Sequence, residues 1–539
     1  MKDTMKRSVL SQESVHHKNR RWALFLSIGL FVFLSGPTAV TATDITVGVG
    51  EGYDYDTIQA AVTEAESGDT IIVAAGTYEE QILIDKSLTL LGAGESTTII
   101  KAPASAERTG KVTPLGTAWD YIVAATASTD TIDVRIEGFT IDANKTSKTS
   151  ATTYFAGAFF GNVSGTNAGL FSCTVQGFNS TPKYESFGVR VCGNSNLTID
   201  DSTVQDYTRD GIAANGSSAD LQITISNNEV TQLDGALNGI AITSGKGSIS
   251  GNTIRGHIRC TEWDGCGILV YISNDITITG NTVENCFNGI YIMGNLDKSS
   301  LLGCERCTVQ NNHLRGNIKH GILLAHNSNE NTVSNNTIEI SSDNYDVTDP
   351  TVDKMQCGIY LGIYLHNSND GCDSNEIKDN TLSRVGTDFW VGYGIYVNDD
   401  CDSNEITGND VTGWTTAGKD GDKECAALLH TDSSGTLITG NKFYANAYGV
   451  YSASDTPIIA EENWWGSSTG PNATSNPDGK GDEVSDNVDF DPWTTNIYPI
   501  ANSQSVTTNE DVAKSITLTG TNAPGYPLKN PLEYKIVAY

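Results

Sequence analysis

Gly267-Ile268-Leu269-Val270, then Ile276-Thr277-Ile278-Thr279-Gly280-Asn281-Thr282-Val283, then Gly289-Ile290-Tyr291-Ile292 is the stretch of this 539-residue chain that decides its fold. A Gly-Ile strand is followed by an apolar-x-x-Asn-x-apolar segment, and then the phrase begins again. The Gly-Ile strand recurs at Gly211, Gly239, Gly321, Gly358 and Gly394, and as Gly449-Val450. Between these strands Asn228, Asn252, Asn281, Asn312, Asn336, Asn380, Asn409 and Asn441 each follow an Ile or Val by three positions and precede an apolar residue by two. Successive strands are 22 residues apart from Gly267 to Gly289 and 37 apart from Gly321 to Gly358, where a loop is inserted. Apolar positions alternate with period two and are mostly β-branched, and Gly and Asn punctuate every segment, so helical repeats are unsuitable. Short strands and turns at this period predict an all-β stacked solenoid. Like residues then stack about 4.8 Å apart, and roughly a dozen coils make a rod of about 60 Å. The recurrent Asn is expected to form an amide ladder at one corner.

These features resemble the right-handed parallel β-helix superfamily, the architecture of pectate lyases and many surface proteins. The repeat itself runs over residues 157–465. Tyr55–Gly94 is similar to the superfamily's N-terminal cap, with Thr57-Ile58-Gln59-Ala60-Ala61-Val62 as a short helix covering the first coil's open edge. Asn463-Trp464-Trp465-Gly466 and Gly470-Pro471 resemble a closing coil, whose tryptophans would plug the apolar end. After Pro499, Thr508-Asn509-Glu510-Asp511 and Lys514–Gly520 resemble the opening of a cadherin-like or Ig-like repeat, although a sandwich needs about 100 residues. The expected division is a signal peptide over 1–42, the β-helix over 43–498 and an incomplete Ig-like segment over 499–539.

Lys2, Lys6, Arg7, Lys18, Arg20 and Arg21 precede an apolar run from Trp22 to Leu34, and Val40-Thr41-Ala42 offers a small-residue cleavage site. That pattern predicts a secreted or cell-surface protein with no membrane span in the mature chain. The formal net charge is −32; loss of residues 1–42 would remove six basic and two acidic side chains and bring it to −36. Such a balance argues against nucleic acid as a partner and is compatible with divalent cations. Eleven cysteines in an exported chain favour disulfides. Asn369-Asp370-Gly371-Cys372-Asp373 nearly repeats as Asn398-Asp399-Asp400-Cys401-Asp402, so Cys372 is expected over Cys401 within bridging distance. Cys304-x-x-Cys307 lacks a second pair at zinc spacing. Soft copper chemistry would want clustered ligands, whereas His326 and His366 supply one per coil.

The superfamily hosts lyases, hydrolases, esterases, epimerases and non-catalytic proteins, so architecture assigns no activity. Polygalacturonase, epimerase and pectin-esterase motifs are missing; Gly256-His257-Ile258 is the nearest approach to one of them. For a pectate-lyase-like site, Arg209 with Asp210 and Asp206, near Asp200-Asp201, is the best local constellation: the Arg would take an α-proton beside a uronate carboxylate held by Ca²⁺. Stacking of the repeated loop brings together Asp370 with Asp399 and Asp373 with Asp402, like-charge pairs that Ca²⁺ would relieve. Residues following the Gly-Ile pair should point outward, and there Tyr291, Tyr360, Tyr396 and Tyr451 suit sugar-ring stacking, or packing beneath the inserted loops. The leading expectation is an exported structural or adhesive protein contacting a polysaccharide or cell-envelope glycan. A calcium-assisted polysaccharide lyase is the alternative.

Overall fold

The computed structural model of the chain divides into Met1–Thr41, which lies outside the described residues, and Ala42–Tyr539. Described are residues 42–495, apart from 105–106, 114–115, 129, 147–153, 179–184, 217–220, 233–235, 258–264, 296–301, 342–354, 363–370, 386–390 and 416–424, together with the backbone of 500–501 and 520–521. Each repeat lays down three strands, as in Ile276–Thr279, Thr282–Glu284 and Asn288–Met293. These strands belong to three long parallel sheets: sheet 1 with 14 strands, sheet 2 with 13 and sheet 3 with 15. The chain is a parallel β-helix.

Register explains the sequence period. Ile199, Ile225, Ile249, Ile278, Val309, Val333, Ile377, Ile406 and Ile438 form one column of sheet 1. All are fully buried, and each such side chain contributes about 1.5–3 kcal/mol through burial. The recurrent Gly lies near the start of most strands of sheet 3, where they bend against sheet 2, with Ala427 in its place in Ala426–His430. A Cβ on Gly267 would lie 2.3 Å from Val283 Cγ1 and 2.8 Å from Gly289 O, so only glycine fits there.

The asparagines form the expected ladder. Asn281 Oδ1 accepts from the backbone N–H of Asn252 at 3.0 Å and from its Nδ2 at 2.9 Å, while Asn281 Nδ2 donates to Ile249 O at 2.9 Å and Asn312 Oδ1 at 3.0 Å. The same bonds carry on to Asn463, the first residue of the Asn-Trp-Trp-Gly segment. The residue before each ladder position turns the chain with a left-handed backbone, as at Asn227 (φ 55°), Asn335 (φ 55°) and Asp379 (φ 55°). This is why Gly, Asn or Asp stands there in every coil but the last, where Glu462 (φ 60°) precedes Asn463. A second ladder, which the repeat phrase does not announce, links Cys307, Asn331, Asn375 and Asn404 at the corner entering sheet 1.

At that same corner a third column is built from serine and cysteine. Ser273 Oγ accepts Gly245 N–H at 3.1 Å, Cys304 Sγ accepts Ser273 N–H at 3.3 Å, Cys401 Sγ accepts Cys372 N–H at 3.3 Å and Ser433 Oγ accepts Cys401 N–H at 2.9 Å. Cys372 therefore does stack on Cys401, but the expected bridge is absent, and both are free, buried thiols. Their sulfurs fill the place that a serine oxygen fills in neighbouring coils.

At the first coil a helix, Ile58–Glu64, buries Ile58, Ala61 and Val62 in the core. Glu80 accepts from the N–H groups of Ile58 and Gln59, both at 2.9 Å. The Gln59 amide pairs with both backbone groups of Leu83 on the first strand of sheet 3. At the far end Trp465 is fully buried against Phe443 with ring centroids 5.4 Å apart, whereas Trp464 is only half-buried. Beyond it, Ile500–Ala501 pairs antiparallel with Gly520–Thr521; the rest of the Ig-like segment lies outside the described residues. No described helix is long and apolar enough to cross a membrane.

Candidate functional site

The outer face of sheet 3 carries two columns. One follows the Gly-Ile pair: Phe159, Arg190, Ala213, Ala241, Leu269, Tyr291, Leu323, Tyr360, Tyr396, Leu429 and Tyr451 stand in continuous register. The other precedes the Gly and reads Asp210, Asn238, Cys266, Asn288, His320, Cys357, Tyr393, Ala426 and Tyr448. Unlike the inner columns, neither repeats one residue type, so coil stacking alone does not account for their composition.

The C-terminal half of this face is aromatic. Tyr360 and Tyr396 stack with centroids 5.0 Å apart at 17°, and Asn398 joins their hydroxyls, accepting from Tyr396 at 2.8 Å and donating to Tyr360 at 3.0 Å. Burial raises both phenols. Tyr360 is 5 % exposed and Tyr291 9 %, so their ring faces are covered by the protein, while Tyr396 and Tyr451 are half-buried. Of the four tyrosines singled out by sequence, these last two retain surface for a ligand.

The N-terminal half combines rings with cations. Trp119, Tyr154 and Phe187 pack together, Trp119 lying 5.1 Å from Tyr154 and 5.0 Å from Phe187. Arg190 Cζ lies 5.0 Å from the Trp119 centroid and 5.6 Å from that of Phe187. Arg209 Cζ lies 5.7 Å from Tyr154 and 5.3 Å from Phe187. Arg209 Nε sits 3.8 Å from Asp210 Oδ2, and Asp210 Oδ1 accepts from Asn238 Nδ2 at 2.8 Å. Burial raises the Asp210 carboxyl, opposed by Arg209 and Asn238, and burial lowers Arg190. The Nε atoms of both arginines are buried with no hydrogen-bond partner. Nearby Arg108 differs: fully buried, it is tied to Asp120 at 3.0 Å.

The structure thus brings Arg209 and Asp210 together and leaves Asp206 apart. Asp206 is an exposed turn residue with φ 59°. Asp200 and Asp201 lie at the corner between sheets 1 and 2, where Ser226 Oγ and Asn227 Nδ2 donate to Asp200 Oδ1 at 2.6 and 2.9 Å and Ser172 Oγ donates to Asp201 Oδ2 at 3.0 Å. His257, in the failed polygalacturonase-like segment, is in the core, bonded to Tyr207 and 3.8 Å from Cys286 Sγ, with burial pushing it down to about 3.

In the repeated loop burial raises the Asp373 carboxyl, with the neighbouring Asp402 and Asp400 adding to it and an amide hydrogen bond opposing it. Asn329 Oδ1 accepts Asp373 N–H at 2.7 Å, Asp373 Oδ1 accepts Asp402 N–H at 2.8 Å, and Asp402 Oδ1 accepts Ser434 N–H at 2.6 Å. Each carboxylate takes an amide of the next coil. Asp399 is exposed, and Asp370 lies outside the described residues. Among the described residues no group of three or more His, Cys, Asp and Glu is placed to hold a metal. His326 is buried and His366 lies outside the described residues.

Sequence reading missed Trp119, Tyr154, Phe187 and Arg190, which precede the first Gly-Ile pair at Gly211. It also missed Asn288 and His320, adjacent in the column before the glycines. These two are 1 % and 0 % exposed, and all four of their side-chain polar atoms are without a hydrogen-bond partner. The available signal was the residue before each Gly-Ile pair, which changes from coil to coil while its neighbours do not.

Residues 187–362 match the family model described as the right-handed β-helix region, and the three parallel sheets extend that architecture through the described chain. No curated protein matches the sequence. Among solved structures, the A-module of a mannuronan C-5 epimerase from Azotobacter vinelandii is 15 % identical, with 81 % of this chain and 94 % of that one covered and a TM-score of 0.42. A family 28 exopolygalacturonase from Yersinia enterocolitica is 13 % identical, covering 74 % and 78 %, with a TM-score of 0.45. A polygalacturonase from Erwinia carotovora is 11 % identical, covering 74 % and 94 %, with a TM-score of 0.38. Likeness this distant transfers no activity.

Proposed function

We propose that this right-handed β-helix protein is exported and binds a glycan along the outer face of sheet 3, acting as a structural or adhesive surface molecule. The observation that carries the reading is the two ring clusters on that face, one around Trp119, Tyr154 and Phe187 and one around Tyr360, Tyr396 and Tyr451, in which Tyr154, Tyr396 and Tyr451 are only half-buried. Aromatic faces and edges on a rigid sheet suit pyranose rings, whose C–H groups pack on rings while their hydroxyls reach polar neighbours. Export is suggested by the basic-then-apolar leader pattern. The polysaccharide-acting proteins among the structural neighbours make glycan a natural class to test.

A second reading, a polysaccharide lyase, is favoured by one observation, the Arg209–Asp210 contact at 3.8 Å. The test is to incubate the protein with neutral and acidic polysaccharides, with and without Ca²⁺, and measure both retention on the polymer and unsaturated products. Retention without products supports the binding role. Products that appear with calcium and vanish in Arg209→Gln would replace it with the lyase, and no retention on any polymer would remove the glycan reading.

A further inference from the structure

Charge on the outer face of sheet 3 is placed in a way that narrows the ligand. The chain carries a formal net charge of −32, yet at one end of this face two guanidiniums converge on the Phe187 ring with Asp210 as their nearby carboxylate. Among the described residues Arg190 makes no ion pair, and the Nε of each arginine is buried without a hydrogen-bond partner there. Each guanidinium lies 5.0–5.7 Å from two ring centroids, and a guanidinium's N–H fork is the geometry that grips a planar oxyanion. Farther along the same two columns, from Ala213 to Tyr451 and from Asn238 to Tyr448, no described residue is Lys or Arg. Asn288 and His320 lie there instead, buried and with their polar atoms unbonded.

Resting on the glycan reading of this face, we propose that Arg190 and Arg209 form an oxyanion site for one acidic group on an otherwise uncharged glycan. A polymer charged at every sugar would place successive anions along columns without Lys or Arg, beside which Lys319 and Arg384 are themselves buried, within a strongly acidic protein. At a screening length of about 8 Å that mismatch is felt coil by coil. A single carboxylate or sulfate, held at the arginines while neutral sugars lie over the aromatic and amide positions, meets no such penalty.

Binding of the full chain to glucuronoxylan, carboxyl-reduced glucuronoxylan and polygalacturonate by calorimetry tests this. Free glucuronate, inorganic sulfate and inorganic phosphate are titrated in parallel to identify the oxyanion. The expected result is at least about tenfold tighter binding of glucuronoxylan than of the other two polymers. Arg190→Gln and Arg209→Gln should each bring glucuronoxylan down to the level of its reduced form and abolish binding of the free oxyanions, while circular dichroism stays unchanged. Equal binding of native and reduced polymer, tighter binding of polygalacturonate, or unchanged binding in both variants would overturn the oxyanion site while leaving the glycan reading standing. If no polymer binds but free oxyanion does so through both arginines, the glycan reading falls and the site survives. If neither binds, both fall.

Discussion

Asn281 and Asn288 are seven residues apart on one coil and live by opposite rules. Asn281 belongs to a corner ladder: its amide accepts two bonds from Asn252 and donates three, to Ile249, to Asn312 and to Thr279 of its own coil. Asn288 is equally buried on the outer face of sheet 3, between Cys266 and His320, and its amide bonds to nothing among the described residues. The first asparagine recurs in coil after coil because stacking needs it. The second does not recur, and leaving its amide unbonded costs the fold stability. Uniform, satisfied columns make the solenoid; irregular, unsatisfied ones are where it departs from what stacking requires.

The sharpest way to break this contrast is to make the same substitution twice. Asn281→Leu strands the N–H of Asn252 and the carbonyl of Ile249 in the core, and should cost about 3–5 kcal/mol in urea unfolding. Asn288→Leu removes an amide that has no partner, and should be neutral or stabilising by about 1–2 kcal/mol. Equal losses at both positions would show that the outer amide is structurally employed after all.

Asp482 tests the rule at the C-terminal end, where a carboxylate takes a ladder-like place. Its Oδ2 accepts from the backbone N–H and Nδ2 of Asn446 at 3.2 and 2.7 Å, yet burial dominates and raises the group to about 6. A carboxyl raised in the folded state binds its proton more tightly there than when unfolded. Stability should therefore rise as pH falls from about 6 towards 3.8 and be lowest above that window. Asp482→Asn should flatten this profile and add at most about 3 kcal/mol at pH 7.5, since each pK unit is worth about 1.4 kcal/mol. Melts from pH 4 to pH 8 would check it, and an unchanged slope would place the titration elsewhere.

The fold was legible because stacking copies one local requirement many times. The ladder asparagines, the left-handed position before them and the bend glycines each leave a periodic trace in the sequence. The outer-face site was less legible for the same reason. Arg190 and Trp119 precede the clear phrase, and Asn288 and His320 are single departures that periodicity averages away. Asp206 misled because sequence nearness to Arg209 ignores the turn that sends it to the surface. In the repeated loop the stacking of Asp373 on Asp402 was legible, whereas the main-chain amide that each accepts from the next coil was not, because no side chain announces it.

Cys372 and Cys401 provide the mildest test, and it separates two explanations of one stacked pair. As a disulfide, the pair would contribute about 2–5 kcal/mol, and loss of either sulfur would show it. As members of a chalcogen column, they need only an atom that accepts the N–H from the coil before, a role Ser433 Oγ already fills for Cys401 at 2.9 Å. Cys372→Ser and Cys401→Ser should each change stability by less than about 1 kcal/mol, a hydroxyl replacing a thiol in an already satisfied hydrogen bond. Both peptides should also be alkylated when the unreduced protein is denatured in the presence of a thiol reagent. Protection of both from alkylation, with a loss of several kcal/mol in either variant, would restore the bridge and show that this column was selected for cross-linking rather than for the hydrogen bond its sulfur accepts.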